Sequence, residues 1–445
     1  MGKYSAGLRD QSRRTKPQQR FHELALSLLS ICGLVGAPSL TQAEIEPQAV
    51  NTFRQFQRDL ARDKTKEDWA AFLHDAKRQE VFLNGSPTSR LEVARAYQKL
   101  GQREQAAAET TRFLAMGQTN DILDTPLFES LRSGLEKQIK ANGLPVSLAR
   151  PAFSLPDPGL LPEDIDYDPV SKRFFVTSIL KQTVVALDKS AYQQLFAESP
   201  DHWPMMALKV DAKRRRLWVS EVAIDGFAHV PTSEWGRSAL LEYDLDSRAL
   251  LSRHEGPAHS NLGDMVLASD GDPIISDGDG GGIYRLSGQA LRRIDHGDFI
   301  SPQTIAICSG TQKAFVPDYV RGIAVFDIET GAVKWLSTRG RYALDGVDGL
   351  YCHRTSLIAV QNGTSPQRVI MFALNRSKSG VTRETIIERA TSTLGVPTHG
   401  VFVDHRFFYI ANSGWNSVDE HGVPIPAWPL TRATIMRFAI SGRHQ

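Results

Sequence analysis

The chain is predicted to be mainly β, a six-bladed β-propeller preceded by an α-helical extension. Three observations carry this. A unit of about 45 residues, built of β-rich runs separated by polar turns, starts at Glu163 and can be counted six times. Between residues 44 and 148 apolar residues recur at helical spacing instead. The 34 glycines and 23 prolines collect in the second half, among the turns. Repeated sheets that cannot bury both faces alone close radially, which removes their exposed edges. With 41% hydrophobic and 23% charged residues the 445-residue chain is neither disordered nor collagen-like, and a net charge of +2 leaves no footprint for nucleic acid.

Residues 1–43 read as an export signal. Lys3, Arg9, Arg13, Arg14, Lys16 and Arg20 make a basic start, an apolar stretch over 24–40 follows, and Thr41-Gln42-Ala43 offers small residues for a signal peptidase. Gly33, Gly36 and Pro38 break the apolar stretch, so it is short for a spanning helix; an uncleaved anchor is the alternative. Ile31 before Cys32 is too bulky for a lipoprotein box, and Lys16-Pro17 replaces the apolar residues a twin-arginine signal needs. Cleavage would remove six basic and two acidic residues, turning +2 into −2. No other stretch is apolar enough to span a bilayer, so a periplasmic or secreted protein is expected. Cys308 and Cys352 would be its two cysteines, paired in an oxidising compartment or else plain buried thiols.

In the helical region, 44–148, Ser86-Pro87 is an N-cap followed by proline at the first helical position. Leu91, Ala94, Tyr97 and Leu100 recur at helical spacing and Gly101 breaks the run. A second helix passes through Ala106, Ala107, Phe113 and Leu114 to Gly117. Ala94, Tyr97, Gly101 and Ala106 resemble one tetratricopeptide unit. A single unit cannot bury its own face, so it is expected to pack on helices around 50–60 and 128–139, or on the next domain. It either binds a protein partner or braces the propeller. Pro151, Pro156, Pro158 and Pro162 mark 149–162 as a stiff linker, and the propeller is expected over 163–445.

Matching points in the repeats face one another across a propeller's axis. The innermost strands start at Glu163/Asp164, Met206, Gly263/Asp264, Gln303, Asp348 and His399; the second strands end near Ser178, Glu221, Asp277, Asp318, Asn362 and Asn412. Carboxylates and amides gathered there suit a hard divalent cation, which takes oxygen ligands. The alternative is that these Asp residues cap turns.

At these residues, from about Leu161 onward, the chain resembles the senescence-marker-protein (regucalcin)/gluconolactonase family of six-bladed propellers. Pro162-Glu163 looks like that family's metal-binding Glu and Val347-Asp348-Gly349-Leu350 like its Asp, while His399 lies where some relatives carry a histidine. The resemblance implies a divalent metal, calcium foremost, on Glu163, Asp264, Gln303 and Asp348. It also implies hydrolysis of a small lactone or ester, with Asp348 and His399 as catalytic residues. Two positions depart: Gly263 replaces one family Asn and Gln303 the other. A non-catalytic ligand-binding or interaction propeller with a degraded metal site is the alternative.

Other motifs are weaker. Asp277-Gly278-Asp279-Gly280-Gly281-Gly282 lacks the Glu of an EF-hand and the Lys of a P-loop and reads as a turn. Lys213-Arg214-Arg215-Arg216 reads as a hairpin tip. No Gly-x-Ser-x-Gly, Cys-x-x-Cys or His-Glu-x-x-His is present. The insertion over 414–431, with Trp415 and Trp428, is a lid or closure packing.

Overall fold

The structure is a computed structural model that describes residues 47–188, 193–308 and 313–440. The expected export signal, Cys32 included, lies outside the described residues. The helical region comprises α1 (Gln48–Thr65), α2 (Trp69–Phe82), α3 (Pro87–Lys99), α4 (Arg103–Ala115) and α5 (Glu129–Asn142). Side-chain caps start two of them. Asp68 accepts the Ala71 N–H at 3.0 Å at the head of α2, and Ser86 caps α3 ahead of Pro87. Gly101 turns α3 into α4 in the left-handed region, φ 71°, where a side chain would be strained. Ala94 and Ala106 are fully buried in the shared core and let the backbones approach. The expected helices around 50–60, 87–117 and 128–139 are present. The sequence pattern passed over α2, whose Trp69, Ala70, Ala71, Phe72 and Leu73 run together without a clear stripe.

Six antiparallel sheets follow. Their innermost strands are Pro162–Asp168, Met205–Asp211, Leu262–Leu267, Ala306–Ile307, Gly349–His353 and Gly400–Val403, in blades one to six. Aliphatic and aromatic side chains between adjacent blades are almost completely buried, as with Phe315, Leu350, Leu357 and Phe372 between blades four and five. The expected linker over 149–162 is corrected in part. Arg150–Ser154 is the outer strand of blade six, paired with Thr434–Ala439, and Val146–Ser147 adds a fifth strand to blade five. The C-terminal end supplies only three strands of blade six, and the N-terminal strand covers the edge they would expose. Pro151 is tolerated because that strand is itself outermost and need not donate on its far side.

Cys308 and Cys352 form a disulfide, Cα–Cα 5.3 Å, between the innermost strands of blades four and five. It closes a loop of 44 residues, about one repeat, which in the chain-entropy view contributes about 4 kcal/mol.

The helices brace one face of the propeller, the face on which the innermost strands begin. Ala49, Phe53 and Leu83 pack on Ile300, and the Ala49 N–H donates to the Gly297 carbonyl at 2.9 Å. Arg321 lies between the rings of Phe82 and Trp335, at 4.5 and 4.4 Å, and donates to the Phe82 and Asp298 carbonyls. Farther along, Thr119 bonds Ser365 and the Arg368 guanidinium reaches the Met116 carbonyl.

Candidate functional site

Glu163, Asp348 and His399 begin the innermost strands of blades one, five and six. One potential ligand atom of each lies within 4.8 Å of the other two, and all three residues are buried. Glu163 Oε2 accepts from Trp415 Nε1 at 2.5 Å, and Asp348 Oδ2 from Asn362 Nδ2 at 2.6 Å. Asn362 is held in turn by the Tyr319 hydroxyl at 2.9 Å. The turn that presents Asn362 needs glycine. A Cβ on Gly363 would meet Gly346 and the Tyr319 ring at 2.6 Å. Burial, and then the charge of Asp348, push Glu163 up to about 8. Burial likewise raises Asp348 to about 7, with His399 opposing and Asp264 adding to the shift.

His399 is held at both ring nitrogens. Nδ1 faces the Glu163 carbonyl at 2.8 Å and Nε2 faces Asp264 Oδ1. Both partners accept, which assigns a proton to each nitrogen. Burial opposes that charge, but Asp264, Asp164 and Asp348 outweigh it and hold the imidazole well above the usual histidine range. As arranged, His399 is a fixed counter-charge and not a ligand.

Of the four expected metal ligands the structure brings two together, Glu163 and Asp348. Asp264 is committed to His399 and to the Thr304 hydroxyl. Gln303 turns aside, its amide nitrogen donating to Ser301 Oγ at 3.1 Å and to the Ser301 carbonyl at 3.3 Å. Asp164 is engaged by Lys209 Nζ at 2.7 Å and the Leu208 N–H at 2.9 Å, a tie between blades one and two. The expected floor of second-strand residues is also corrected. Asp277 accepts the Asn261, Asp279 and Gly280 N–H groups, Asp318 those of Ile300, Ser301, Val320 and Arg321, and Asn412 that of Thr434. Glu221 takes the Ser199 hydroxyl and Ser178 gives its own to the Leu160 carbonyl, so only Asn362 of that set serves the axis. Those acids cap turns, because a loop leaving a sheet presents N–H groups that need acceptors.

Lys209, Thr304 and Tyr319 were not singled out in the sequence. A lysine inside the apolar strand Met205–Asp211 was the one legible signal among them. Trp415 was noticed only as part of the insertion; it sits in a short turn opened by Gly414 at φ 97°, beside Phe227.

The donor set fits a hard divalent cation. Two buried carboxylates repel each other, each keeps one oxygen with no hydrogen bond from a described residue, and a cation between them would relieve the repulsion. Without one, burial keeps at least one of them protonated near neutral pH.

No protein-family profile matches the chain, and no curated sequence does. The propeller is similar to several solved structures. A gluconolactonase from Xanthomonas campestris aligns at 16% identity over 64% of this chain and 88% of its own, TM-score 0.44. A calcium-binding regucalcin from Agrobacterium tumefaciens aligns at 15% over 65% and 95%, TM-score 0.43. A virginiamycin B lyase from Staphylococcus aureus aligns at 10% over 60% and 82%, TM-score 0.42. At these identities the likeness concerns the fold.

Proposed function

We propose that the axial site hydrolyses a small lactone or ester in an exported protein, with a divalent cation, calcium foremost, held by Glu163 and Asp348. The observation that carries this is the convergence of those two buried carboxylates, each with an oxygen to spare. The cation, when bound, supplies Lewis-acid polarisation of the carbonyl. The remaining roles belong to side chains. Asp348 takes a proton from the attacking water. The water oxygen bonds to the carbonyl carbon, the ester C–O bond breaks, and the proton passes from Asp348 to the departing oxygen. Asn362 fixes the carboxylate's orientation. The His399 imidazolium balances the local negative charge and orients the Glu163 backbone. His399 is thus assigned a positioning role, and the proton is assigned to Asp348.

Export is supported by the disulfide, a bond that persists in oxidising compartments. Among the described residues no helix is long and apolar enough to cross a membrane.

A second reading, a propeller that binds its ligand without turnover, is favoured by the side chain missing at Gly263 and by Gln303 lying on Ser301. One experiment separates the two. The purified chain is loaded in turn with calcium, magnesium, manganese and zinc and assayed on a panel of aliphatic lactones and aryl esters. Metal-dependent turnover that Asp348→Asn abolishes supports hydrolysis. Metal binding with no turnover on any of the panel supports the second reading.

A further inference from the structure

The connection from the second to the third strand of each blade leaves the sheet on the face where the innermost strands begin. It is short in four blades, 179–182, 278–281, 319–321 and 362–367. It is long in the other two, 223–237 in blade two and 411–433 in blade six. Blade one stands between those two, its innermost strand packed on both of theirs.

The two long connections meet across blade one. The His421 carbonyl accepts the Ala228 N–H at 2.9 Å, and His421 Nδ1 lies 2.9 Å from the Gly226 carbonyl. Phe227 of blade two shares an apolar cluster with Leu161 and Leu180 of blade one and with Trp415, Val418 and Leu430 of blade six. The blade-six connection is thus a strap, and it is held by bonds of its own. Val418 bridges Pro424, the Asp419 carboxylate accepts the His421 and Val423 N–H groups at 2.9 Å, and the Ile425 N–H reaches the Ser417 carbonyl at 2.8 Å.

One polar group of the strap reaches the axial site, the Trp415 indole N–H that donates to Glu163 Oε2 at 2.5 Å. Gly414 sets that reach. It stands at φ 97°, and a Cβ there would meet Leu430 at 3.2 Å and Leu161 at 3.4 Å. An indole nitrogen donates and cannot ligate a cation, so the part open to it is to orient the carboxylate that can.

We propose that Trp415 is a positioning residue that couples the cation site to the strap. Its N–H holds Glu163 in place for the cation, and the loaded site in turn holds the strap down over blade one. Such coupling is reciprocal, so each effect implies the other. The inference rests on the cation reading of Glu163 and Asp348 and is independent of hydrolysis.

The test reads two quantities on the full chain: manganese affinity by calorimetric titration, and amide hydrogen exchange of peptides from 411–433 with and without manganese. In the parent, manganese should slow exchange in the strap. Trp415→Phe keeps an aromatic ring beside Phe227 and removes the N–H. It should weaken manganese about tenfold, about 1.4 kcal/mol, and abolish the manganese-dependent slowing. Gly422→Ala acts at the tip of the strap, where φ is 70° and a Cβ would meet the Phe227 ring at 2.8 Å. It should weaken manganese about threefold, about 0.7 kcal/mol. Parent affinity in Trp415→Phe, with a loss only in Trp415→Ala, would reduce the indole to packing and overturn the proposal. Strap exchange that ignores manganese in the parent, or affinity indifferent to Gly422→Ala, would overturn the coupling. A parent that binds no manganese removes the cation reading and this proposal together. Manganese-dependent protection in a protein that hydrolyses nothing supports the proposal and removes the hydrolytic reading alone.

Discussion

Asp318 and Asp348 are neighbours on the same face of the propeller, both buried and both bearing the same carboxyl group. Asp318 ends the second strand of blade four and accepts four backbone N–H groups at 2.6–3.2 Å. Asp348 precedes the innermost strand of blade five, and its recorded donor is one side-chain amide, from Asn362. The difference teaches that burial and charge do not mark a functional carboxylate. Asp348 takes no backbone donor, which leaves an oxygen for the proposed cation or for a proton, whereas both oxygens of Asp318 are taken.

Predictions follow from breaking each side of that comparison. Asp348→Asn should reduce hydrolysis at least about 10³-fold, about 4 kcal/mol of transition-state stabilisation, measured as kcat/KM. The metal-free variant should melt no lower than the parent, because a repelled buried charge has been removed. Cys308→Ser acts at the opposite end of the same pair of innermost strands, so it should cost about 4 kcal/mol in urea unfolding and leave KM unchanged. Asp318→Ala strands several N–H groups and should cost about 3 kcal/mol in the same unfolding experiment, with activity per folded molecule within about twofold of the parent. Acidification supplies a smaller test. Hydrolysis needs Asp348 deprotonated, so its rate should fall as pH drops through about 7 in weakly loaded protein, and a saturating cation should move that fall to lower pH. The smallest effect is a gain. A Cβ on Gly263 would meet nothing closer than Asn261 at 3.8 Å, so Gly263→Asn should fold normally and tighten calcium by a few fold in calorimetric titration.

The architecture was legible because it repeats. Runs such as Leu217-Trp218-Val219-Ser220-Glu221 and Leu357-Ile358-Ala359-Val360-Gln361 return once in each repeat of about 45 residues, and each fell in a strand. The closure of blade six was not, since Arg150–Ser154 is a lone edge strand whose partner lies almost 300 residues away and whose proline disguises it. The site was half legible. Glu163, Asp348 and His399 stood at matching points of the repeat, and a propeller brings such points together. Which acids were already taken by backbone N–H groups could not be read, because the residues after Asp277 bend back onto its carboxylate through the path of the turn and not through their type. Gln303 carried the right chemistry, yet Ser301, two residues before it, captured its amide.

The most direct test of the axial site is calorimetric titration of calcium and manganese into the metal-stripped chain and into Asp348→Asn. One ion per parent chain, and none per variant chain of unchanged fold, is the expected result. A parent that binds no ion, or a variant that binds as tightly as the parent, would contradict the assignment of Glu163 and Asp348 as the cation's ligands.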